Sequence, residues 1–145
     1  MASLPSAKDL MSQIAQREAE KATAAVRERT AAEAEKKALL DKLSAPSGVS
    51  EEDRMARAIA IIKRAADNGH TEVEIGRFPN QLATDRGRAI NQMEPGWEDT
   101  LTGLPKELLH FWRQHLRPQG YKLRVQIVDF PGGVPGDFGM SLSWG

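Results

Sequence analysis

The stretch Tyr121–Phe130, YKLRVQIVDF, decides the fold. Apolar residues alternate along it with polar ones: Tyr121, Leu123, Val125 and Ile127 against Lys122, Arg124 and Gln126. A period of two is typical of a β-strand with one buried face and one solvated face. We therefore predict that this segment is the organising strand of a small sheet, around which the rest of the chain packs.

Length and composition limit what surrounds that strand. The 145 residues suffice for one domain and an appendage, and 20 Lys+Arg balance 20 Asp+Glu, so net charge attracts neither nucleic acid nor an anionic membrane. The absence of cysteine excludes disulfides and thiol chemistry. No apolar stretch reaches the length of a signal peptide or a membrane span, so we expect a soluble, cytoplasmic protein with no membrane partner.

The segment Ser6–Leu43 has the composition of a long helix. It is rich in Ala, Glu, Lys, Arg and Gln and contains neither Gly nor Pro. As a coiled coil it would have the following seam: Met11, Ala15, Glu18, Ala22, Ala25, Arg29, Ala32, Lys36, Leu39 and Leu43. Because the middle of that seam is charged or small, a strong zipper is not specified. Two interpretations stay open, a solvated helical arm or a helix that dimerises or binds a partner.

A breaker, Ser44–Val49, separates this helix from the remainder and predicts an arm and linker over 1–48 and a compact domain over 49–145. Ser50 is a good N-cap for the first helix of the domain. One apolar stripe of that helix is predicted to face the core: Met55, Ile59, Ile62 and Ala66.

A second amphipathic strand is predicted at Thr71–Arg77. Its solvated face carries Glu72 and Glu74, opposite in charge to Lys122 and Arg124, so we expect the two strands to be neighbours. Whether they run parallel or antiparallel stays open at this stage.

Three further elements complete the domain. A helix over Gln81–Met93 contains Gly87, which indicates either a close neighbour or a late start capped by Thr84 or Asp85. An apolar helix follows over Pro105–Arg117, and a last strand over Met140–Trp144. The predicted fold class is α+β, with three helices on one face of a three-stranded, mostly antiparallel sheet.

This order of elements resembles that of a winged-helix domain, with Pro131–Gly139 as the wing and 105–117 as the recognition helix. The resemblance covers element order only and implies these DNA-facing candidates: Lys106, His110, Arg113, Gln114 and Arg117. The connection before the recognition helix is longer than a helix-turn-helix allows. The wing region has Asp129 and Asp137 but no Lys or Arg for phosphate contacts. Nucleic acid is therefore a possible partner but not the favoured one.

Two groups of residues are candidates for small-ligand sites, and each also has a simpler interpretation. The anion-binding candidates are Arg77, Arg86 and Arg88, near a helix start; the simpler interpretation is surface arginines paired with nearby carboxylates. The loop-site candidates are Asp129, Phe130, Asp137 and Phe138. Their aspartates could act as paired carboxylates or cation ligands, or could satisfy backbone N–H groups in the turn. We expect the two phenylalanines to be exposed beside the loop.

No catalytic, metal-binding or cofactor-binding residue is predicted. The three histidines lack metal-ligand spacing, and there is no phosphate-loop or GxSxG motif. The leading hypothesis is a non-enzymatic interaction or assembly protein in which residues 6–43 mediate self-association or bind a protein partner. A winged-helix-like DNA-binding protein is the alternative, followed by a small anion-binding domain or enzyme.

Overall fold

The computed structural model describes residues 3–145. Its helices and strands are α1 (Ala7–Ser44), α2 (Glu51–Asp67), β1 (Glu72–Phe78), α3 (Arg88–Gln92), α4 (Gly103–Phe111), β2 (Lys122–Ile127) and β3 (Phe138–Ser143). By packing, the chain divides into two units between Leu39 and Leu40, earlier than the breaker at 44–49 indicates. Within residues 3–145, no helix is long and apolar enough to cross a membrane.

The N-terminal unit is helical, as predicted. Ser6 caps α1, because its Oγ accepts a hydrogen bond of 3.1 Å from the N–H of Asp9. Every residue from Ala7 to Leu39 is exposed. The helical conformation of this unit therefore follows from its alanine-rich composition and its cap, and it owes nothing to a buried face.

The compact unit has the predicted α+β fold, with helices on one face of a three-stranded antiparallel sheet. The strand order is β1-β3-β2, and β3 is antiparallel to both neighbours. The prediction that Thr71–Arg77 and Tyr121–Phe130 form adjacent strands is wrong, because β3 lies between them. Since β1 and β2 are both antiparallel to β3, they run parallel to each other across it.

The core is built on β3 and not on the strand that the sequence singles out. Phe138, Met140 and Leu142 point to the helix side and are 0%, 0% and 1% exposed. The expectation that Phe138 would be exposed beside the loop is wrong. In the central strand it lies between Phe78 and Ile127, and its ring centroid is 5.7 Å from that of Phe78.

The solvated face of the sheet carries the expected opposite charges. Glu72 lies opposite Ser143 on one side of β3, and Arg124 lies opposite Ser141 on the other. Arg124 and Glu72 form an ion pair across the central strand. The short serine side chains leave room for these long ones to meet, so charge complementarity is satisfied between strands that share no backbone hydrogen bonds.

The segment after β1 contains less helix than the sequence predicts. Instead of one helix over 81–93, a 3-10 turn at Asn80–Leu82 precedes the short α3. Gly87 has a φ of +87°, and the Asp85 carboxylate accepts hydrogen bonds from the N–H groups of Gly87 and Ala89, at 3.1 and 2.9 Å. The helix therefore starts late with an aspartate cap, which is one of the two predicted alternatives.

The most apolar helix changes its winding along its length. The α-helical part, α4, ends at Phe111, a π-helical turn follows over Trp112–Leu116, and a 3-10 turn covers Arg117–Gln119. Trp112 Nε1 donates a hydrogen bond of 2.9 Å to the carbonyl oxygen of Tyr121, which ties the π-turn to the residue before β2. At the other end, the Leu43 carbonyl oxygen lies so close to Gly103 that a side chain there would collide with it.

Candidate functional site

A cleft of about 620 Å³ lies between α2, β1, α4 and the segment 42–49. Its walls are mostly apolar side chains from the sheet and α4: Ile75, Phe78, Leu104, Leu108, Phe111 and Leu142. Three of these, Phe78, Phe111 and Leu142, belong to the buried core. The cleft therefore reaches from the surface to residues that form the centre of the domain.

The cleft exists because α2 packs loosely. Among the residues of α2, only Ala65 is buried. The predicted core stripe is partly wrong, since Met55 and Ile62 pack against the core but Ile59 is 45% exposed and Ala66 is exposed as well. Ile61, which lies outside that stripe, is 38% exposed and lines the cleft.

The charged residues that line the cleft are all cations: Lys42, Arg54, Arg57 and Arg77. Arg54 pairs with Glu107 at 3.1 Å, and Arg77 pairs with two aspartates of the loop before β3. Neither Arg57 nor Lys42 forms an ion pair with any residue in the described range 3–145. Two positive charges at the cleft are therefore uncompensated.

A polar cluster fixes the linker beside the cleft. Ser47 donates a hydrogen bond of 2.7 Å from its Oγ to Glu107 Oε2, and its backbone N–H donates one of 3.1 Å to Oε1. Arg54 Nη2 donates to Ser47 Oγ at 2.8 Å. These hydrogen bonds, first from Ser47 and then from Arg54, hold the pKa of Glu107 below its usual value. The cluster ties the linker to both α2 and α4.

The predicted anion site does not assemble as one constellation. Arg77 borders the cleft, whereas Arg86 and Arg88 do not line it. Arg88 Nη2 lies 3.9 Å from Glu94 Oε2, and Arg86 is exposed in a turn with a φ of +58°. Only Arg77 of the three candidates is therefore next to a cleft of ligand size.

The predicted loop site is closed by its own hydrogen bonds. Asp129 Oδ1 accepts a hydrogen bond of 2.6 Å from the backbone N–H of Asp137. Arg77 spans both aspartates, with Nε 3.0 Å from Asp137 Oδ2 and Nη2 3.3 Å from Asp129 Oδ2. This arrangement, led by the hydrogen bond to Asp137, raises the pKa of Arg77. Phe130 remains 52% exposed, whereas the burial of Phe138 removes it from any surface site.

The predicted DNA-facing residues of the α4 region all lie at the surface. Lys106, His110, Arg113, Gln114 and Arg117 are exposed. The change of winding after Phe111 distributes them over three kinds of helical turn, and the Arg117 guanidinium lies 5.7 Å from the Trp112 ring centroid. These residues form a cationic surface, but they do not lie along one face of a straight recognition helix.

An apolar patch lies near the start of α1. Leu10, Met11 and Ile14 are 44%, 66% and 49% exposed. At 3.6 residues per turn they fall within an arc of about 100° on the helix. Large apolar side chains recur later in the exposed part only at Val26 and Leu39. The patch is therefore the densest apolar surface of the N-terminal unit.

Comparison of the chain with known protein families, with curated proteins and with solved structures finds no match.

Proposed function

We propose that this chain is a non-enzymatic interaction or assembly protein, in which α1 mediates self-association or binds a protein partner. The observation that carries the proposal is that all residues from Ala7 to Leu39 are exposed, including the patch Leu10, Met11 and Ile14. A second helix placed along this patch would remove three large apolar side chains from water.

Energetic considerations support a contact of moderate strength. Complete burial of one such side chain contributes about 1.5–3 kcal/mol, and here about half of Leu10 and Ile14 and about a third of Met11 are already shielded from water. The middle of α1 adds little, because the seam positions Glu18, Arg29 and Lys36 are charged. The contact is therefore expected to form through the first turns of α1 and to depend on protein concentration.

Sedimentation velocity tests self-association over a range of protein concentrations. Leu10→Glu combined with Ile14→Glu places two charges within the patch, and we expect this variant to sediment as a monomer where the unchanged chain associates. Ser12→Glu combined with Gln16→Glu adds the same charge on the opposite side of α1 and is expected to associate normally. If the unchanged chain is monomeric at every concentration, self-association is excluded and binding of a different protein is what remains of the proposal.

DNA binding through the α4 region is a second candidate, favoured by the exposure of Lys106, His110, Arg113, Gln114 and Arg117. Retention of duplex DNA should then weaken with rising salt, because phosphate contacts release counterions. Changing Arg113 and Arg117 to Gln should reduce the salt dependence, whereas Arg27 and Arg29 of α1 provide a matched control pair. Failure to retain DNA at low salt would exclude this candidate.

A further inference from the structure

We propose that the cleft between α2, β1 and α4 binds a small amphipathic anion, that is, a molecule with an apolar chain and one carboxylate or similar acidic head. The proposal is argued from residues of the domain 40–145 and does not rest on the role proposed for α1.

The size of the cleft fits a small organic ligand. Its volume of about 620 Å³ falls within the range of about 300–1,000 Å³ typical of ligand sites. Protein interiors are normally close-packed, with few voids larger than a water molecule. The space between α2 and the sheet is thus much larger than a packing defect. An apolar ligand in it would contact the side chains of the sheet and α4 that α2 does not reach.

The distribution of polarity sets the orientation of the ligand. The buried walls, with Phe78, Phe111 and Leu142, can contact only an apolar chain. Arg57 and Lys42 are exposed, so they lie where the cleft meets water. The chain of the ligand would therefore lie against the sheet and α4, and its head would remain at the surface.

The charge of the lining sets the chemical class of that head. None of the described residues that line the cleft is acidic, and four are cations. Arg54 and Arg77 already have carboxylate partners, which leaves Arg57 and Lys42 to neutralise a ligand. An arginine can bind a carboxylate through two parallel hydrogen bonds, so Arg57 is the expected contact for the head.

Isothermal titration of the full chain with decanoate tests the proposal, with decan-1-ol as the neutral analogue and decyltrimethylammonium as the cationic one. We expect decanoate to bind at one site and both analogues to bind at least about tenfold more weakly, because neither has an anionic head that can form an ion pair with Arg57. Arg57→Gln should weaken decanoate binding about tenfold, whereas Arg64→Gln, a matched change on α2 outside the cleft, should leave it unchanged. Absence of binding, or equal binding of the neutral analogue, would overturn the proposal.

A second pair of variants tests the location. Ile61→Trp places a large side chain in the cleft and should abolish decanoate binding while the protein stays folded by circular dichroism. Ile59→Trp adds the same group elsewhere on α2 and should bind as before. Equal binding by both variants would overturn the assignment to this cleft. If the Leu10→Glu and Ile14→Glu variant binds decanoate much more tightly than the unchanged chain, the natural occupant is α1 of another copy, and the proposal is wrong.

Discussion

Gly87 lies where α3 meets β2, and the contact leaves no space for a side chain. With a φ of +87°, the residue also adopts a left-handed conformation. A Cβ atom at this position would lie 2.9 Å from Ile127 Cδ1. Close packing and backbone conformation both require glycine here, and they can be separated experimentally because Gly96 has the same φ with open space around it.

We expect Gly87→Ala to destabilise the domain more than Gly96→Ala does. Gly96→Ala should cost about 1 kcal/mol, the usual penalty for a left-handed residue with a side chain. Gly87→Ala should cost a further 1–3 kcal/mol, roughly, because the methyl group forces Ile127 to move. Urea unfolding of the two variants measures the difference, and equal costs would show that Ile127 moves aside freely.

Glu107 should make the stability of the domain sensitive to acid. Because the folded state lowers the pKa of Glu107 from 4.5, its stabilising contribution is complete above about pH 4.5 and is lost as pH falls through the lower folded value. Glu107→Gln should therefore cost about 1 kcal/mol at pH 7, with a smaller difference from the unchanged chain at pH 3.

Urea unfolding of both proteins at the two pH values measures this effect. Glu98→Gln is the matched control, since Glu98 forms no ion pair with the described part of the chain. A cost of Glu107→Gln that is the same at both pH values would contradict the assignment.

At the scale of single residues, helix-capping hydrogen bonds could be predicted from the sequence, but the burial of side chains could not. The caps at Ser50 and Asp85 involve residues within four positions of each other, so their hydrogen bonds follow from local spacing. The burial of Phe138 depends on the strands that lie on either side of it, and the exposure of Ile59 depends on how loosely the whole of α2 packs. Neither property is encoded in the residues next to them.

At the scale of elements, the identity of the strands was predictable and their order was not. β1 and β2 show the alternation of polar and apolar residues that the sequence revealed, and β3 was placed within two residues at its start. All three patterns look alike in isolation, however. The position of β3 at the centre is determined by its contacts with both neighbours, and the charge match between β1 and β2 fits this order as well as direct adjacency.

Hydrogen exchange should differ sharply between β3 and α1. The amides of β3 lie in the middle of the sheet and should exchange only on global unfolding, whereas those of residues 7–39 should exchange through local opening, since no residue there is buried. Measured by mass spectrometry at low protein concentration, protection of 7–39 equal to that of β3 would contradict this view. Protection that rises with concentration would support self-association.

For the whole molecule, the division at Leu40 indicates where the chain can be shortened. Leu40 and Leu43, although part of α1, pack against the core of the domain. A chain that begins at Lys37 should therefore unfold with the same free energy as the full chain. A chain that begins at Ala45, which keeps Ser47 and its hydrogen bonds, should be less stable by about 2 kcal/mol, because two partly buried leucines are lost.

Urea unfolding of the three chains tests this prediction, and equal stability of the two shortened chains would show that the end of α1 contributes nothing to the domain.

Of the residues that line the cleft, the sequence singled out only Arg77 as part of a ligand site. The lining of the cleft comes from five separate segments of the chain, so no local sequence pattern predicts it. The available signals were a second pair of apolar residues in α2, Ala58 and Ile61, and the cation just before them, Arg57. These residues were outside the predicted core stripe, and an apolar side chain beside a charge on a helix is usually just a surface position.

The central position of β3 has a consequence for the order of events during synthesis. β1 and β2 leave the ribosome before β3 and share no backbone hydrogen bonds, so the backbone groups of both strands stay unpaired until Phe138–Ser143 has been made. The pairing of β3 with β2 is local in sequence, whereas its pairing with β1 joins residues distant in sequence, which is the slower kind of folding event. Until β3 has been made, the nascent domain exposes the apolar faces of β1 and β2, to which chaperones can bind.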